Sequence, residues 1–285
     1  MGRIVEAQIH SAAPGKGNWD PDPEQRTRVH HFPERDEVIA EMDAAGVDAA
    51  ILVPPLGWSE APDNEPWLAD VAAHPERFAV FGRFRPEDGP RHADLAELAS
   101  RPGLRGVRLS IHDRRGNSAV LTDGSLDWFW DSAQSLGLPV MINAPERYAE
   151  LYDVAATHPG LRIIVDHLGL RPDLRYDDLM PPLRRLVRLA VHANVSVKAS
   201  ALPDAVNEPY PFPSVKPALR AVIDEFGAAR VFWGSDLSRL PCTYRDLVRF
   251  FAEDLDFLSD ADRADILGEA ILKWISWDPA PVRLS

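Results

Sequence analysis

The chain has 285 residues, 45% of them hydrophobic, with a formal net charge of −13 and one cysteine, Cys242. That balance excludes a protein built to grip nucleic acid or an anionic membrane, since both need clustered Lys and Arg. The lone cysteine excludes an internal disulfide framework and any CxxC metal or redox motif. A soluble, acidic, single-domain protein of a reducing compartment, the cytoplasm, is expected, without export signal or membrane span, because no run of about 18 apolar residues occurs.

The first predicted strand is Ile4 to His10. Taken as regular, it sets Glu6, Gln8 and His10 in one parity and so on one face. Ser11 to Phe32 comes next, rich in Pro, Gly and charge, and is read as a lid-like loop. Apolar residues at Val38, Ile39, Met42 and Ala45 mark a helix over 34–46 that Gly46 stops. Val47 to Val53 is a strand ended by Pro54-Pro55.

The alternation then repeats. Helices are predicted over 68–73, 92–100, 126–136, 148–157, 183–191 and 215–226, and strands over 78–84, 104–109, 138–143, 161–166, 195–199 and 230–235. Terminal helices start at Thr243 and Ser259, where Thr243-x-x-Asp246 and Ser259-x-x-Asp262 resemble capping boxes. About eight strand-then-helix units imply a parallel sheet, and the length lies near the roughly 250 residues of a (β/α)8 TIM barrel. An open doubly wound sheet is the competing fold. Gly15-Lys16-Gly17 has neither the GxGxxG nor the GxxxxGK[ST] spacing that such a fold uses for phosphates, so the closed barrel is preferred.

Active sites of these barrels lie at the C-terminal strand tips. The tips offer Gln8 and His10, then Arg83, Arg108 with His112 beyond it, Asn143, His167, Lys198, and Asp236 at the end of Val231-Phe-Trp-Gly-Ser-Asp236. Neighbouring first and last strands would bring His10 and Asp236 together. Arg83 and Arg108 suit either structural ion pairs or anchors for a substrate carboxylate. Lys198, within a strand that otherwise reads as buried, needs a partner or a function. His30, His31, His74, His92, His158 and His192 are read as ordinary core or surface groups, and Cys242 as a small buried hydrophobe.

The motifs Glu6-Ala-Gln-Ile-His10, His74-Pro-Glu-Arg-Phe78, Gly106-Val-Arg108, His158-Pro159 leading to Val165-Asp-His-Leu-Gly169, Asn194-Val-Ser-Val-Lys198 and Trp233-Gly-Ser-Asp236 together resemble the amidohydrolase superfamily. Within it they are similar to the amidohydrolase 2 branch, which includes lactone hydrolases and non-oxidative decarboxylases. The resemblance spans nearly the whole chain and implies a His-x-His pair on the first strand, a metal-ligand histidine on the fifth, a catalytic histidine on the sixth and an aspartate on the eighth. Gln8 and Asn143 stand where two of those imidazoles are implied, while His10, His167 and Asp236 remain. A carboxamide is a poor zinc ligand. No cofactor is therefore expected; the alternative is one divalent metal such as zinc, held by His10, Asp236 and His167.

The resulting expectation is a lactonase-type hydrolase of a small anionic cyclic substrate. Asp236 acts as general base on water, and His10 and His167 polarise the carbonyl or protonate the leaving oxygen. Arg108, Lys198 and Arg83, with Gln8, Asn143 and His112, line the substrate. A metal-dependent non-oxidative decarboxylase and a non-catalytic small-molecule-binding barrel are the rival readings. No nucleic acid or membrane partner is expected, and a homo-oligomer is left open.

Overall fold

A computed structural model describes residues 2–12, 32–55, 63–112 and 118–279. The lid-like loop expected over 11–32, with His30 and His31, lies almost wholly outside the described residues. Strand–helix alternation is present throughout. In chain order the elements are β1 (Val5–Ile9), α1 (Arg35–Ala45), β2 (Ala49–Leu52), α2 (Glu65–Ala73), β3 (Phe78–Arg83), α3 (His92–Ala99) and β4 (Leu104–Ser110). Then come α4 (Asp127–Ser135), β5 (Val140–Asn143), α5 (Tyr148–Thr157), β6 (Ile163–Val165), α6 (Met180–Leu186) and β7 (Val195–Ala199). The chain continues with α7 (Leu202–Ala205), α8 (Val215–Phe226), β8 (Val231–Trp233), α9 (Tyr244–Arg249), α10 (Asp260–Ala264) and α11 (Ala270–Trp274).

The eight strands form one parallel sheet in sequential order. The sheet curls until β8 adjoins β1, where the Asp236 N–H donates to the Gln8 carbonyl at 3.2 Å. This is a (β/α)8 TIM barrel, as its alternating pattern predicts. The helices pack outside by the periodicity that announced them: α8 buries Val215, Ala218, Leu219, Val222, Ile223 and Phe226, one stripe at helical spacing. Both terminal helices carry their expected caps, with Thr243 Oγ1 accepting from the Asp246 N–H and a full box at Ser259 and Asp262. Inside, Val5, Ala7, Ile51, Phe81, Met141, Ile164 and Phe232 fill the barrel, and Ile271, Leu272, Ile275 and Trp277 join them from the C-terminal segment.

The first strand departs from a regular ladder. Val5 pairs with Ala49 and Glu6 with Ala50, but Ile9 pairs with Leu52, so one extra residue is inserted between Glu6 and Ile9. Such a bulge reverses the facing of every residue beyond it. Glu6 therefore does not share a face with Gln8 and His10, contrary to the regular-strand expectation. Its carboxylate turns outward into the seam between β1 and β8, where Oε1 accepts the N–H groups of Gln8 at 3.0 Å and Ser235 at 2.7 Å. Oε2 accepts from the Tyr244 hydroxyl of α9 at 3.1 Å. Gly234 stands opposite it, and a Cβ there would lie a tight 3.0 Å from Oε1.

Candidate active site

Beyond the bulge, β1 directs Gln8 and His10 into the barrel mouth. His10 Nδ1 lies 2.6 Å from the Val53 carbonyl, which can only accept, so Nδ1 carries the proton and Nε2 presents a lone pair in the neutral ring. The chain leaves β6 through an abrupt turn in which His167 and Leu168 adopt φ of 52° and 54°. Left-handed backbone at such residues costs about 1–3 kcal/mol each, and here it swings the imidazole inward. Gly169 continues the turn at φ 65°, where a Cβ would meet the Tyr148 ring at 2.5 Å. His167 Nδ1 lies 2.8 Å from Ser200 Oγ. Asp236, at φ 54°, turns off β8 in the same manner.

These turns converge. His10 Nε2 is 3.5 Å from Asp236 Oδ1 and His167 Nε2 is 3.8 Å from Asp236 Oδ2. Between the rings lies the Gln8 carboxamide, whose Nε2 is 3.2 Å from His10 Nε2 and 3.4 Å from His167 Nε2. Its orientation is set at its other end, because Oε1 accepts from the Lys198 ammonium. The amide NH2 therefore faces both imidazoles and donates to their lone pairs.

Lys198 is fully buried, and its Nζ also lies 2.8 Å from Asp166 Oδ1 and 3.3 Å from Met141 Sδ. The other Asp166 oxygen accepts from Arg108 Nε at 2.7 Å. Two buried cations thus share one buried carboxylate. With Asp236 added, the deep part of the site holds two positive and two negative groups and is neutral when both histidines are neutral.

Burial and charge act against one another on each group. Burial alone would raise the Asp166 carboxyl, but Lys198 and Arg108 outweigh it and hold it well below the usual range. Asp236 is also lowered: burial opposes the shift, and His10 and His167 when protonated, then Arg239 and Arg108, overcome it. Burial pulls His167 down to about 4 against the attraction of Asp236 and Asp166, and lowers His10 as well. Lys198 is lowered by burial, with Asp166 opposing. At neutral pH the arrangement is an ionised Asp236 beside two neutral imidazoles.

Three further strand-tip residues line the approach. Asn143 ends β5 on the inward face shared with Met141 and is nearly buried. Arg83 ends β3, paired in register with Arg108, and its Nη1 reaches the Pro55 carbonyl at 3.4 Å. His112 lies two residues past β4 and is half-buried. Outside the site, His158 Nδ1 meets the Val154 carbonyl, His92 meets Ser132, and His192 packs against Tyr152. Burial pushes the Cys242 thiol up to about 12, which leaves it inert as a nucleophile. Three contributors are not among the strand-tip candidates of the sequence: Asp166, Ser200 and the seam carboxylate Glu6. A signal for Asp166 exists, since a buried lysine and a buried arginine demand a carboxylate and Asp166 ends an apolar strand.

The donors present do not suit a metal ion. Among the described residues no three His, Cys, Asp or Glu side chains are grouped to hold one. The NH2 of Gln8 points hydrogen atoms at both imidazole lone pairs, and an ammonium stands directly behind it.

Comparison with known proteins agrees with the fold. A model of the amidohydrolase family matches residues 19–274. L-fucono-1,5-lactonase of Burkholderia ambifaria is 31% identical over 210 residues, 71% of this chain and 69% of that protein. An amidohydrolase from Burkholderia multivorans solved with bound zinc superposes with a TM-score of 0.78 at 19% identity, over 97% of this chain and 100% of that one. A probable 2-pyrone-4,6-dicarboxylic acid hydrolase from Acinetobacter baumannii, solved with citric acid, gives 0.75 at 18% identity over 96% and 100%. With a barrel whose strand tips carry Gln8-x-His10, Asp166-His167 and Asp236, and a family match over most of its length, the chain belongs to the amidohydrolase family and is a hydrolase.

Proposed function

We propose that this hydrolase is a lactonase that opens a small anionic cyclic ester without a tightly held metal ion. The observation that carries the reading is the convergence of an ionised, buried Asp236 on two imidazoles whose Nε2 atoms present lone pairs. The likeness to an L-fucono-1,5-lactonase supports the ester class. A water in this position can give one hydrogen to the Asp236 carboxylate, leaving its own lone pair free for the ring carbonyl. Attack forms the C–O bond as the proton passes to Asp236. Arg108 is the donor for the developing oxyanion. Collapse breaks the bond to the ring oxygen, which takes the proton back from Asp236 directly or through His167. The product is a hydroxy acid.

In this reading Arg108, with Lys198 behind it, is the positive group that a substrate carbonyl or carboxylate meets in the deep site, and Arg83, Asn143 and His112 complete the wall. Among the described residues no helix is long and apolar enough to cross a membrane, and the cytoplasm is the proposed place of work. The test is dialysis against a strong chelator, then metal analysis and assay on carboxylated and neutral lactones. Activity should survive chelation, and Asp236→Asn should lower kcat by about 10²–10⁴-fold with substrate affinity largely kept. Stoichiometric zinc whose removal abolishes turnover, or release of carbon dioxide in place of ring opening, defeats the reading.

A further inference from the structure

The mouth of the barrel continues from His167 and Ser200 into a cleft whose wall includes Arg171, Leu174, Asp204 and Arg239. Asp204 is held by two guanidinium groups: Arg175 Nη1 lies 2.9 Å from Oδ1, and Arg239 Nη2 meets Oδ2. The same Nη2 donates to the Pro172 carbonyl at 2.8 Å, whereas the enclosed Nε–H of Arg239 meets no acceptor among the described residues. Arg171 is neutralised by Asp173 at 2.8 Å. The cluster of Arg175, Arg239 and Asp204 therefore carries one positive charge in excess. The deep set of Arg108, Lys198, Asp166 and Asp236 carries none.

We infer that this cleft holds the carboxylate of the substrate, with Arg239 as the residue that selects an acid over a neutral analogue. Arg239, which shares Asp204 with Arg175, lies on the turn that carries the base, where its backbone N–H donates to the Asp236 carbonyl at 2.8 Å. A ring placed with its carbonyl oxygen toward Arg108 on β4 and its carbonyl carbon over the water held by Asp236 directs a substituent on its other side toward Arg239, over the β6 to β8 side of the mouth. A guanidinium in a partly apolar cleft prefers a carboxylate, which accepts charge-assisted bonds, to a carboxamide of the same shape. The identity of the reacting ring rests on the lactonase reading; the charge preference of the cleft does not.

The experiment is calorimetric titration of the unmutated protein with tetrahydropyran-2-carboxylate, which has no ester to open, and with its primary amide. The acid should bind about tenfold tighter or better, and Arg239→Gln should remove that preference while leaving the amide within about twofold. Leu174→Glu, at a wall position 37% exposed, should weaken the acid alone and carries the test should the arginine variant fold poorly. Equal binding of both probes overturns the inference. So does a preference that survives Arg239→Gln and Leu174→Glu but vanishes with Arg108→Gln, which would put the anion in the deep site. Turnover is scored separately with the unmutated enzyme: acid preference without ring opening sinks the lactonase reading alone, and ring opening without acid preference sinks the subsite alone.

Discussion

At the scale of single residues, Asp166 organises the site without touching the reacting atoms. It fixes Lys198, Lys198 fixes the Gln8 amide, and the amide NH2 faces the Nε2 of both histidines. Removing one member of a buried ion set costs about 3–5 kcal/mol, because the remaining charges are left without compensation. Asp166→Asn should cost that much in urea denaturation, and Lys198→Met added to it should restore part of the loss. Strict additivity of the two changes would mean that the pair is not coupled. The arrangement is half legible in the sequence. Lys198 announces itself as a cation in an apolar strand, and Asp236 and His167 as polar groups at strand ends. Asp166 stays hidden because the neighbouring histidine draws the functional reading. That the two turn to the same side, although adjacent in sequence, is a result of the left-handed backbone at His167, which no propensity of histidine predicts.

Among the elements, the seam between β1 and β8 is where sequence periodicity fails and a side chain takes over. Alternation predicts a regular strand, and a bulge forms instead, turning Gln8 and His10 inward while Glu6 stays in the seam as an acceptor for the Ser235 N–H. The period-2 pattern cannot reveal an inserted residue when both faces of a strand are buried. Burial raises the Glu6 carboxyl to about 7, against the hydrogen bonds from Gln8, Ser235 and Tyr244. A carboxyl raised in the folded state binds more protons there than when unfolded, so its contribution rises as pH falls from about 7 to the ordinary carboxylate range. His167 acts oppositely, since a base lowered to about 4 takes up protons on unfolding and loses stability as pH falls from 6.5. The two slopes offset one another in mildly acid solution. Glu6→Gln keeps an acceptor for both N–H groups while abolishing the first slope. It should raise stability at pH 8 by on the order of 2–3 kcal/mol. That gain should shrink toward pH 5, leaving a steeper acid loss than in the parent. A gap independent of pH, measured by thermal melting across that range, would show that Glu6 is not the titrating group.

For the whole molecule, chemistry and stability are separated along the barrel axis. The polar groups gather at the C-terminal strand ends, while the last described segment floors the opposite end. There Ile271, Leu272, Ile275 and Trp277 join the interior layer. Arg162, just before β6, donates to the Trp274 and Gly137 carbonyls. Arg3, just before β1, donates to the Pro279 carbonyl at 2.8 Å. The segment is thus tied to strand beginnings on two sides of the barrel, as expected where residues at the N-terminal face serve stability. Trp277 is 5% exposed, and truncating a buried tryptophan costs about 3–5 kcal/mol through lost transfer energy and a residual cavity. Trp277→Ala should lower the melting temperature accordingly. Because the deep ion set and Asp236 lie at the far end, KM and kcat should match the parent at any temperature where the variant is folded. Kinetics measured well below the melting point decide the matter. A fall in kcat there, with the fold intact by circular dichroism, would mean that the floor sets the geometry of the strand tips, and the separation along the axis would fail.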